Sequence, residues 1–160
     1  MYKYFILFAF CFSLLISYGN INPELEASGT FSPAGPPLGK PVRNEIGESC
    51  IVEVKQAYNI TGTLTGKLEI DFRILVYGPC TEPPGTYKEE WIAFGSFSGT
   101  VDGSPGFGKF TYTADVKAGG EVDGKMIFGD GIEGELVVNG NFKDRKLSYN
   151  GEINEPVAND

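Results

Sequence analysis

The sequence predicts an all-β protein, folded as an eight-stranded antiparallel up-and-down β-barrel. Three observations carry this reading. Apolar and polar residues alternate at period two through most of the chain. Short clusters rich in Gly, Asp and Asn separate the alternating runs. No sustained helical period follows Ile16. A two-sheet β-sandwich is the alternative, disfavoured because successive runs are joined by tight hairpins, and closing such strands removes exposed edges.

The chain begins with a different composition. Lys3 precedes an almost wholly apolar run from Phe5 to Ile16, and Ser17-Tyr18-Gly19 supplies small residues around a cleavage position. Residues 1–19 therefore read as a signal peptide, the apolar run being shorter than the ~20 residues that span a bilayer. An uncleaved anchor is the alternative. Residues 20–48 form a Pro/Gly-rich lead-in carrying one short strand at 27–32.

The rest of the barrel is expected over 49–153, followed by a polar tail, 154–160. The strands are placed at 49–58, 60–65 merging into 67–77, 87–101, 106–117, 120–128, 132–142 and 146–153. One face of each run is apolar or small: Leu68, Ile70, Phe72, Ile74 and Val76 in one; Trp91, Ala93, Gly95 and Phe97 in the next; then Gly108, Phe110, Tyr112 and Ala114. Asp102-Gly103, Ala118-Gly119-Gly120 and Gly129-Asp130-Gly131 are the turns. Gly78–Gly85 is a longer Pro-rich loop. The hexads Thr61–Gly66 and Ser98–Gly103 share a small-Gly-Thr-apolar-x-Gly pattern, read as glycine relieving crowding where strands bend.

Composition excludes several functions. The chain has no His, which removes imidazole-based triads and metal sites. Its net charge of -8 opposes binding to nucleic acid. No metal site and no cofactor is expected. Cleavage after Gly19 would remove Cys11, leaving Cys50 and Cys80 as an even pair in an oxidising compartment, and these are expected to form a disulfide. Asn59-Ile60-Thr61 is a glycosylation sequon, a weak motif by itself.

The residues 97–110, Phe-Ser-Gly-Thr-Val-Asp-Gly-Ser-Pro-Gly-Phe-Gly-Lys-Phe, with Gly129–Leu136 and Gly140-Asn141-Phe142, resemble the hairpins of small bacterial and archaeal barrels with the allene oxide cyclase-like fold. Gly29-Thr30-Phe31 matches the early Gly-Thr-Phe strand of that family. The resemblance is to a family of uncharacterised function and implies hairpin geometry more than chemistry; it is barrel size that allows an interior holding side chains or one small ligand, as in lipocalin-like binders. Family members often carry a His on the strand after the first hairpin; here that stretch is Phe110–Val116 and has none. No catalytic residue can be carried over.

The candidate cavity residues are Trp91, Phe97, Phe110, Tyr112, Phe128 and Tyr149, aromatic rings expected on the inner face. Tyr112 and Tyr149 stand out, because a buried phenol needs a hydrogen-bond partner. The acid pairs Glu69/Asp71, Glu89/Glu90 and Glu133/Glu135 are read as solvated outward charges. Leu75, Tyr77, Ile92 and Phe94 interrupt the polar face and suggest a contact between copies in a homo-oligomer, or a surface covered by the lead-in. The expected function is non-enzymatic binding of a small hydrophobic ligand by a secreted barrel. The alternatives are a cyclase- or isomerase-like enzyme without histidine chemistry and a structural or interaction module of the cell envelope.

Overall fold

In a computed structural model, which describes residues 24–154, the chain forms β1 (Glu24–Pro33), β2 (Val42–Ile46), β3 (Ser49–Gly62), β4 (Leu64–Val76), β5 (Glu89–Val101), β6 (Ser104–Val116), β7 (Glu121–Asn141) and β8 (Lys146–Asn154). Residues 1–19, expected to be a signal peptide, and residues 155–160 of the expected tail lie outside the described residues. The strands join one antiparallel sheet in the order β1-β8-β7-β6-β5-β4-β3-β2, and pairing of β1 with β3 closes it. The fold is the closed antiparallel barrel that the alternation predicts.

β7 is extended throughout but doubles back on itself. Lys125 Nζ lies 2.6 Å from Glu135 Oε1, and Phe142 N donates to Gly120 O at 3.1 Å. Residues so far apart in a straight strand would be separated by roughly 33 Å or more. The reversal falls at the expected turn, where Gly131 has φ +96°. The first half of β7 pairs with β6 and the second with β8. With its halves counted separately the ring has eight staves, and β2 is an additional strand outside it.

Two strand boundaries depart from expectation. β3 runs on to Gly62, and the chain reverses at Gly62-Thr63, so residues 60–62 belong to the strand before the turn. The inward positions are even-numbered on both sides, Ile60 before and Leu64 after, so the alternation keeps its phase through the turn and hides it. The lead-in holds β2 as well as β1. β2 buries none of its residues and so leaves no apolar signature.

The inner face is as the alternation predicts, with Phe31, Ile60, Leu68, Ile70, Phe97, Met126, Leu136, Val138 and Ile153 all at or below 2% exposure. Glycine and aromatic residues alternate across strands. Gly95 faces Phe110, Phe97 faces Gly108 and Gly29 faces Tyr149. A Cβ on Gly95 would lie 2.3 Å from the Phe110 ring. The missing side chains make the room that the rings fill. The two hexads meet where Gly66 faces Gly99; there a Cβ on Gly66 would stand 2.2 Å from Ser98 O.

Candidate functional site

The two ends of the barrel differ. One is closed by tight hairpins, where the Tyr149 hydroxyl accepts from Leu64 N at 2.9 Å and lies 3.3 Å from Thr61 O. The other carries the long connections: the lead-in, the Pro-rich loop between β4 and β5, and the short 3-10 turn Phe142–Asp144. A pocket of about 240 Å³ lies at this second end, walled by Phe31, Tyr58, Phe72, Trp91, Phe142 and Leu147. A neighbouring hollow of about 300 Å³ under the Pro-rich loop shares Val54, Ile74, Pro84 and Glu89 with it. A wider open groove, about 1030 Å³, is lined by Glu24, Glu26, Glu133 and Glu152 together with Ile127 and Val137. Its rim carries like charges.

The pocket walls form an aromatic relay. Phe31 meets Tyr58 edge-on at 5.4 Å, Tyr58 meets Phe72 at 6.3 Å, Phe72 meets Trp91 at 5.5 Å, and Trp91 meets Phe142 at 5.7 Å. The first three contacts are edge-to-face, which suits the ring quadrupoles, and the Trp91–Phe142 pair is tilted at 51°. Gln56 ties the lead-in across the mouth, its amide nitrogen donating to Gly35 O at 3.1 Å.

Glu89 is the buried acid of this site, only 2% exposed. Its carboxylate accepts from Trp91 Nε1 at 2.7 Å and from Gly85 N at 2.6 Å. The expectation that Glu89 is a solvated outward charge is thereby corrected. Glu89 lies two residues before Trp91 on the inward register of β5, and that parity is the signal that would have found it. The other acids are placed as expected: Glu69 and Asp71 lie beside Lys55, and Glu135 beside Lys125, all well exposed.

Of the six candidate cavity residues, Trp91 lines the pocket. Phe97 lies deep in the packed interior, and Phe110 and Phe128 pack against each other at 4.9 Å. Tyr149 pins the closed end. Tyr112 sits behind the pocket floor, 6.1 Å from Phe72 and 6.3 Å from Trp91, and its hydroxyl has no hydrogen-bond partner among the described residues. Sequence reasoning missed Phe31, Tyr58, Phe72 and Phe142 as pocket walls.

Burial pushes the Tyr58 phenol up to about 12, and burial followed by the nearness of Tyr58 pushes Tyr112 up further. Both are therefore neutral hydroxyls at ordinary pH, able to donate a hydrogen bond but not to act as bases. Arg145 and Lys146 stand at the rim of the pocket. Chemically, the site offers apolar walls, the Tyr58 hydroxyl and the Glu89 carboxylate.

The Cys50–Cys80 disulfide, with Cα atoms 5.0 Å apart, ties the start of β3 to the Pro-rich loop. Asn59 lies on β3, opposite Ser32 of β1 and Lys67 of β4. No helix among the described residues is long and apolar enough to cross a membrane. No family model, curated protein or solved structure matches the chain.

Proposed function

We propose that this protein is exported and binds a small apolar ligand, without chemical turnover, in the pocket at the open end of the barrel. The observation that carries the reading is an aromatic-walled pocket at the open end of the barrel with the buried Glu89 carboxylate in its lining. Apolar walls with a few placed polar groups are the usual composition of a small-molecule site. The Glu89 carboxylate accepts one N–H on each oxygen, and its remaining lone pairs suit a ligand hydroxyl or amine. Export agrees with the apolar leader and with the disulfide, since such bonds persist in oxidising compartments. The resemblance to allene oxide cyclase-like barrels belongs to this same reading.

Glu89 also favours a second reading, a cyclase- or isomerase-like enzyme, because a buried carboxylate facing an apolar pocket is a candidate proton acceptor. Trp91 reports binding, being both a pocket wall and the one tryptophan of the chain, and chemical turnover separates the two readings. Titration with medium-chain alcohols should change its emission saturably. Native mass spectrometry of protein from its own host should reveal a bound small molecule. Val54→Phe, which narrows the pocket, should weaken binding about tenfold, equivalent to about 1.4 kcal/mol. Chemical conversion of the bound compound, abolished by Glu89→Gln, would establish the enzyme instead. Unchanged emission with every probe, together with a bare mass, would overturn both and leave an interaction module.

A further inference from the structure

Closing a barrel removes sheet edges, yet this molecule adds one back. β2 lies outside the ring and pairs through one side only, with β3 from Val42↔Glu53 to Ile46↔Ser49. All its residues are exposed, including Val42 at 51% and Ile46 at 56%. Among the described residues, no backbone hydrogen bond beyond those of the β2–β3 ladder involves it. Natural edges are usually blunted by shortness, by charged side chains, by Pro or by a bulge. β2 is short and Lys40-Pro41 precede it, but its ladder with β3 has no bulge, and its two charges, Arg43 and Glu45, are of opposite sign and so can complement a second copy instead of repelling it.

We infer that β2 is the dimerisation edge of this protein, pairing antiparallel with β2 of a second copy across a two-fold axis at Asn44. The strand is self-complementary when read in reverse. Centred on Asn44, the pairing sets Val42 against Ile46, Arg43 against Glu45, and Asn44 against its own copy. Apart from the central Asn44 pair, each direct pair brings opposite charges or two apolar side chains to a Cβ separation of about 4.5–5.5 Å. The neighbouring registers fail: centring on Arg43 opposes two arginines, and centring on Glu45 opposes two glutamates. A two-fold antiparallel pairing is also the closed geometry of an isologous dimer, so it does not propagate into a fibre. Arg43 and Glu45 share the face that carries Val52 and Cys50, their partners on β3. There the Arg43 guanidinium donates to Cys80 O, which holds its stem beside the disulfide and leaves further N–H groups for the partner's carboxylate.

The partner is thus a second copy of this chain, and the surface is distinct from the Ile92/Phe94 patch on β5. Sedimentation of the full-length protein at micromolar concentration should report a dimer. Arg43→Glu alone and Glu45→Arg alone should each raise the dissociation constant at least about tenfold, because each places like charges opposite one another twice. The double variant R43E/E45R should restore the dimer, and mixing the two single variants should produce a heterodimer from two monomers. Asn44→Cys should cross-link the copies on oxidation, because directly opposed Cα atoms in an antiparallel pair lie within disulfide reach. A monomeric wild-type protein would overturn the inference. So would single charge reversals that dimerise as the wild type does, or a mixture that stays monomeric.

Discussion

Two tyrosines with the same sequence signature have opposite roles, and the difference lies in one hydroxyl. Tyr149 is 2% exposed and Tyr112 fully buried, both on the inner face. The Tyr149 hydroxyl receives the Leu64 amide at 2.9 Å and sits 3.4 Å from Leu64 O, so it closes the backbone of the β3–β4 turn. Tyr149→Phe leaves that amide buried without an acceptor, and should cost about 1–3 kcal/mol of stability in denaturant unfolding. The Tyr112 hydroxyl has no such partner. Tyr112→Phe removes an unsatisfied polar atom while keeping the ring, so it should leave stability unchanged or raise it by up to about 1 kcal/mol. A large loss with Tyr112→Phe would mean that the hydroxyl is satisfied by a water or a bound molecule. Period-two alternation places both rings inside but carries no information about which hydroxyl finds an acceptor, because that depends on chain segments far away in sequence.

At the scale of elements, the Pro-rich loop between β4 and β5 is the piece most dependent on a few ties. It is fixed by the Cys50–Cys80 bond, by the Glu89 carboxylate on Gly85 N, and by Gly119 N donating to Gly85 O at 2.9 Å. Replacing both cysteines by Ser removes a cross-link that closes a loop of about 30 residues, worth roughly 3–4 kcal/mol. The variant should unfold at correspondingly lower denaturant concentration and show faster amide exchange over residues 78–88 than over β5. Equal exchange in loop and strand would mean that Glu89 and Gly119 suffice to hold the loop. The pairing of the two cysteines was legible from composition and location alone. So were the inner faces of β4, β5, β6 and β8, since a buried face forces alternation. The pocket was not, for a physical reason: its walls come from β1, β3, β4, β5, β8 and the Phe142 turn, and only closure of the sheet brings β1 to β3. The rings at 91, 97, 110, 112, 128 and 149 look alike in sequence, but height along the barrel decides which of them meets open space. β2 was illegible because neither of its faces is buried.

For the whole molecule, the buried phenols set a limit on alkaline stability that its acidic charge does not. Tyr58 has a folded-state pKa near 12 because burial disfavours the phenolate, against about 10 in the unfolded chain. Below pH ~10 both states keep the proton and this contribution is fully present. Between about 10 and 12 the unfolded chain gives up its proton while the folded barrel retains it, so the unfolded state binds fewer protons and stability falls as pH rises. Each retained proton adds about 1.4 kcal/mol of loss per pH unit. Tyr112 and Tyr149, raised chiefly by burial, act in the same direction. Denaturant midpoints followed from pH 9 to 12 should therefore decline with a slope steeper than one phenol supplies. Tyr58→Phe should make the decline shallower while leaving stability near neutrality set by packing alone. The phenolate absorbance should rise together with loss of the folded signal, not ahead of it, for the buried fraction of the eight tyrosines. If all phenols ionise before unfolding, the rings at the barrel mouth are reached by solvent in the native state, and the pocket is wetter than its aromatic walls imply.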